Sequence, residues 1–123
     1  MTEKILHKQV CQYIRLQYPG VLFNSDLAGA TKLTMGQAVS MKSLRSNRGF
    51  PDLVIYEARK GYHALFIELK VEGTKLRKKD MTCATPHIQE QWSCIMDLMK
   101  RKYAACFAVG FDQAKEVIDD YLS

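Results

Sequence analysis

The sequence predicts an α/β fold: one mixed β-sheet flanked by helices, in the order α-β-α-β-β-α-β-α. Three observations predict it. Apolar residues recur at helical spacing in four separate stretches. Short runs of high β-propensity lie between them. Residues 62–70 are apolar on both faces, as in a strand covered from both sides.

The first helix spans residues 3–17. Leu6, Val10, Tyr13 and Ile14 make its stripe, and Tyr18-Pro19-Gly20 ends it. Val21-Leu22-Phe23 is the first strand. Residues 34–45 form a second helix, with Met35, Ala38, Val39 and Leu44 apolar, and Ser46-Asn47-Arg48-Gly49 turns the chain. Leu53-Val54-Ile55-Tyr56 is a strand, residues 57–61 a turn, and residues 62–70 the strand that follows. Residues 72–84 are polar and basic, hence an exposed loop. Thr85-Pro86 starts the third helix as N-cap and first-turn proline. That helix runs to about Lys102 with Ile88, Trp92, Ile95 and Met99 on one stripe. Residues 103–109 form the last strand. The final helix presents Ala114, Val117, Ile118, Tyr121 and Leu122. Residues 62–109 can then close a β-α-β crossover.

The chain has 123 residues, enough for one domain over residues 1–123 with a core of its own. Lys+Arg number 18 and Asp+Glu 13, a net charge of +5 that suits a polyanionic partner. No apolar run reaches the ~18 residues of a membrane span, and the first residues are no signal peptide. The expectation is a cytoplasmic protein with no membrane partner. Cys11, Cys83, Cys94 and Cys106 form no Cys-x-x-Cys pair and read as small hydrophobes. A zinc site would need Cys83, His87 and Cys94 to converge.

The chemistry concentrates at one hairpin. If it turns around Lys60, residues whose numbers sum to 120 oppose each other, which sets Asp52 opposite Glu68. Lys70 shares the face of Glu68 at i+2. Two carboxylates and an ammonium would meet at one end of an apolar sheet. Paired carboxylates repel unless a cation or proton lies between them. Oxygen ligands of this kind suit Mg²⁺ or Mn²⁺. An ordinary cross-strand salt bridge would use the same residues. Glu3 lies seven positions before Val10 on the first helix stripe, where it reaches the site or serves the helix dipole in solvent. Gln89 opens the helix that follows Glu68 and Lys70, where its amide orients a water, holds a phosphate or faces solvent.

Gly49-Phe50-Pro51-Asp52, Phe66-Ile67-Glu68-Leu69-Lys70 and Gln89-Glu90-Gln91-Trp92 resemble, in order, the motifs of VRR-Nuc nucleases within the PD-(D/E)XK superfamily. The resemblance covers nearly the whole chain. It implies a restriction-endonuclease-like core of the stand-alone phage or bacterial type, acting in a bacterial or phage-infected cell. It also implies that Asp52 and Glu68 ligate the metal, with the Leu69 carbonyl as a further ligand. Lys70 would be the catalytic lysine, Gln89 a supporting residue with Gln91 as its rival, and Glu3 the acid of the first helix. The spacing from Lys70 to Gln89 is long for the family, because residues 75–79 extend the loop.

The implied activity is divalent-metal-dependent, structure-specific hydrolysis of DNA phosphodiesters. The expected substrate is branched DNA such as a four-way (Holliday) junction, cut by a homodimer without a small-molecule cofactor. A flap nuclease, a restriction-type duplex endonuclease and a non-catalytic DNA-binding module on the same fold are the alternatives. Two basic groups flank the motifs: Lys42, Arg45 and Arg48 on one side, Lys75, Arg77, Lys78 and Lys79 on the other. Both are expected to touch phosphates or to be solvated loops. Trp92 reads as core, Asp26 could approach the metal, and no role is assigned to His7, His63 or His87.

Overall fold

The computed structural model describes residues 1–26 and 34–123; residues 27–33, part of the loop expected after the first strand, lie outside that description. The element order is the expected one. Helix α1 (Glu3–Gln17) starts where the Thr2 hydroxyl accepts the Ile5 N–H at 3.2 Å. Strand β1 is Phe23–Ser25, helix α2 Met35–Lys42, strand β2 Leu53–Ile55 and strand β3 Leu65–Lys70. Helix α3 (Pro86–Lys100) has Thr85 as its cap and Pro86 in its first turn, as expected. Strand β4 is Ala104–Val109 and helix α4 Gly110–Leu122.

The sheet runs β1-β2-β3-β4. The first two pairings are antiparallel and the β3–β4 pairing is parallel. Alternation along β2 and β3 turns Leu53, Ile55, Leu65, Ile67 and Leu69 to one face. There they pack with Leu6, Val10 and Ile14 of α1 and Ala114, Ile118 and Tyr121 of α4. Glu68 points the other way, toward α3. The hydroxyls of Tyr13 and Tyr18 both donate to Asp119 (2.5 and 2.7 Å), which joins the end of α1 to α4.

The hairpin register is the expected one. Leu53 opposes Ile67, Val54 opposes Phe66 and Ile55 opposes Leu65. The tip is tighter than expected. Arg59 pairs with Tyr62 around Lys60 (φ 54°) and Gly61 (φ 84°), the positive-φ pair that a two-residue hairpin turn requires. That tip alone would set residues summing to 121 opposite each other. One extra residue among 56–58 restores the strand register.

Several features differ from expectation, among them the end of α2, expected at residue 45 and found at Lys42. β1 lies two residues later than Val21-Leu22-Phe23, although the Leu22 carbonyl still accepts the Tyr56 N–H at 2.8 Å. The strand expected over 62–70 starts at Leu65. On α3 the buried positions are Ile88, Gln91, Cys94 and Ile95. Trp92 is therefore half-buried rather than core: it stacks on Phe107 and lies under the Arg77 guanidinium, 5.0 Å from the ring centre.

Candidate active site

Asp52 stands immediately before β2, where the ladder to β3 should continue. Position 51 opposes Leu69 but is proline and has no N–H to give. Asp52 replaces the missing backbone bonds with its side chain. Its Oδ1 accepts the Leu69 N–H at 3.0 Å, and its own N–H donates to Glu68 Oε2 at 3.1 Å. A strand residue turns N–H and C=O to the same side, so the Leu69 carbonyl also faces Asp52.

Glu68 and Lys70 are buried, 6% and 9% exposed. Lys70 Nζ lies 3.9 Å from Glu68 Oε1. Burial, then the Asp52 charge, pushes the Glu68 carboxyl up to about 8; Glu3 adds a smaller push, against the pull of Lys70 and the Asp52 N–H. A carboxyl in that condition takes up either a proton or a cation.

α3 supplies Gln91, which is 3% exposed and donates from Nε2 to Glu68 Oε1. Its Oε1 is buried and, among the described residues, has no donor. Gln89 does not reach the site: it is exposed and donates to Ser93 at 3.2 Å. Gln91 is thus the residue the fold brings to Glu68, because it sits on the inward face of α3 three residues after Ile88. Gly49 permits this approach. With φ +80° it lies so close to α3 that a Cβ would fall 2.8 Å from the Gln91 nitrogen.

α1 supplies Glu3, which lines the same cavity of about 330 Å³ as Asp52, Glu68, Lys70 and Gln91. It also supplies His7, which the sequence reading left without a role. His7 is 2% exposed and its Nε2 lies 3.1 Å from Asp52 Oδ2. The signal was its spacing: Glu3, His7, Val10 and Ile14 share one stripe.

Asp26 and Arg45 also line this cavity and pair at 2.7 Å. Lys42, Arg45 and Arg48 border an adjoining cavity of about 540 Å³, which shares Arg45, Gly49 and His87 with the acidic one. The other basic group stands apart. Arg77 is engaged with Trp92 and the Met81 carbonyl, while Lys75, Lys78 and Lys79 are exposed. None of these four lines the acidic cavity.

Among the described residues, no three His, Cys, Asp or Glu side chains form a ready metal cage. This bears on the zinc reading of Cys83, His87 and Cys94; the four cysteines are free thiols. Mg²⁺ asks for less. It keeps several waters and binds through one or two carboxylates. Asp52, Glu68 and the Leu69 carbonyl make such an oxygen set, and the unpartnered Gln91 Oε1 can accept from a water. The residues present fit a hard divalent cation.

No protein-family profile and no curated protein matches the chain. A solved structure described as a VRR_NUC domain protein superposes with a TM-score of 0.72 at 28% identity. The match covers 99% of this chain and 88% of that one. No helix among the described residues is long and apolar enough to cross a membrane. The ordered Gly-x-Pro-Asp and Glu-x-Lys motifs and a likeness spanning nearly the whole fold agree, and together they support a VRR-Nuc domain.

Proposed function

We propose that the chain is a divalent-metal-dependent, structure-specific DNA endonuclease. The observation that carries this reading is the half-buried Asp52 bonded to the buried Glu68, with Lys70 beside them, at the end of the β2–β3 ladder. Asp52, Glu68 and the Leu69 carbonyl would hold Mg²⁺ or Mn²⁺. When bound, the ion supplies a Lewis acid for phosphate and acidifies a water. Lys70 donates to the developing negative charge or orients the water. Gln91 holds Glu68 in place with Nε2 and offers Oε1 to a water. Glu3 adds negative charge to the same cavity. Water attacks phosphorus in line and the 3′ oxygen leaves. Lys42, Arg45 and Arg48 bind phosphates on the approach to the site.

The substrate is branched DNA, with four-way junctions ranked above flaps. Reading base edges in the major groove takes added elements, and the described residues form few beyond the sheet and its flanking helices. Cutting a junction symmetrically needs two sites related by a two-fold axis, so the working form is a homodimer.

A cleavage panel tests this: linear, flap and four-way DNA with Mg²⁺ and with Mn²⁺, for wild type, Glu68→Gln and Lys70→Ala. Each substitution should lower junction cleavage by about 10²–10³-fold or more with the fold retained. Full activity in both variants overturns the site assignment. Equal cleavage of plain duplex and junction removes the structure-specific part. DNA binding with neither nicking nor ion uptake replaces the enzyme with a binding module.

A further inference from the structure

The Asp52 carboxylate is tied at both oxygens by two different elements. On one side β3 gives the Leu69 N–H to Oδ1 at 3.0 Å. On the other, α1 gives His7 Nε2 to Oδ2 at 3.1 Å. His7 is itself fixed, because its Nδ1 lies 2.5 Å from the Ser25 hydroxyl of β1. A carboxylate oxygen only accepts, so the Nε2 facing Asp52 carries a proton, while Nδ1 shares a hydrogen bond with the Ser25 hydroxyl, which can donate or accept. One chain of bonds thus runs from β1 through α1 to the residue that opens β2.

A residue buried only for packing would not need this. His7 occupies a position between Leu6 and Val10 where an apolar side chain would fill the space. An imidazole there is costly unless both nitrogens are matched, and both are. Its matching serves one outcome, which is to stop Asp52 from rotating. The type of donor matters as well. Lys or Arg at this place would cancel the Asp52 charge and compete with a cation. An imidazole N–H orients the carboxylate through one planar donor and leaves a spare lone pair on each oxygen.

We propose that His7, held by Ser25, is the positioning residue that presents Asp52 to the divalent cation. The inference rests on the nuclease reading above and goes beyond it in assigning α1 and β1 a part in ion affinity. Groups that orient metal ligands typically change ion affinity or activity by about 10–100-fold when removed.

The test uses the full chain and Mn²⁺ as probe. Binding is read by the paramagnetic resonance of free Mn²⁺, in wild type, His7→Leu, His7→Gln, Ser25→Ala and Asp52→Asn. His7→Leu should raise the Mn²⁺ midpoint by about 10–100-fold, in binding and in junction cleavage alike. Cleavage should return toward the wild-type rate at saturating Mn²⁺, which a merely structural lesion would not allow. His7→Gln keeps a side-chain N–H and should recover part of the affinity. Ser25→Ala should shift the midpoint in the same direction by less. If His7→Leu melts below the assay temperature, His7→Gln and Ser25→Ala decide by the same comparison. Unchanged midpoints in the folded variants, or a loss that saturating Mn²⁺ does not repair, overturn the proposal. Equal Mn²⁺ binding by wild type and Asp52→Asn instead overturns the metal reading of Asp52 on which it rests.

Discussion

Two adjoining cavities in this molecule are built by opposite means. The acidic one is lined by side chains on buried strands and on the inward faces of α1 and α3, with Asp52, Glu68 and Gln91 fixed by named hydrogen bonds. The basic one lies under α2, which buries none of its residues and leaves Met35 and Val39 exposed. α2 is eight residues long and is held at its start by a capping box between Thr34 and Gln37. The contrast matches the proposed role of each cavity. Moving a proton and a leaving group depends on atoms placed within a fraction of an ångström. Neutralising phosphates depends on the number of charges nearby, and tolerates loose placement.

Breaking the acidic cavity should have the larger effect. Gln91→Ala removes the donor to Glu68 and should lower cleavage by about 10–100-fold. Gln89→Ala, one turn-face away and exposed, should leave it near wild type. Equal losses in the two variants, measured on the same junction, would move the functional glutamine back to position 89.

A second experiment isolates Glu68 without any DNA. Its folded carboxyl is raised to about 8, above an unfolded value near 4.5. Between those two limits the folded state holds more protons than the unfolded state. Stability contributed by this group therefore falls as pH rises from about 4.5 to 8. Thermal melts in chelator at pH 5 and pH 8 should show Glu68→Gln gaining several degrees on wild type at pH 8 and little at pH 5. Saturating Mg²⁺ should shrink the pH 8 gap. A gap of the same size at both pH values would count against a strained carboxylate.

The basic cavity should respond least, and differently. Lys42→Ala and Arg48→Ala should each reduce the slope of log affinity against log salt by about 1, or about 3-fold in binding over a fourfold salt change. Raising the salt should shrink the defect, because the wild type loses affinity faster. An unchanged slope would take these residues out of the DNA contact.

Most of the fold was legible because packing and periodicity agreed. α1 began and ended where its stripe and its Tyr18-Pro19-Gly20 terminus put it. The Asp52–Glu68 opposition was legible because strand register is arithmetic once a turn is fixed. What escaped were polar residues in core positions. Sequence patterning assigns the inward stripe to apolar residues, so Trp92 was preferred to Gln91 on α3 and His7 was passed over on α1. Each of these buried polar groups is explained only by a partner distant in sequence, Glu68 for one and Asp52 for the other. The dispersal of the basic groups was equally hidden. Residues 42–48 and 75–79 read alike as charge clusters, but Arg77 is committed to Trp92.

The hairpin tip carries one more consequence. Its two-residue turn and the single surplus residue in the arm before it jointly set Asp52 opposite Glu68. Deleting that surplus residue, or adding one to the turn, would slide β2 by one place and carry the Asp52 side chain to the other face of the sheet. The length of residues 56–62 is therefore as strictly bound to the proposed active site as the identity of any acid. Residues 72–84 lie outside the four-stranded ladder, so their length is free to drift. In descendants of this chain, gains and losses of sequence should collect in the second segment and be purged from the first.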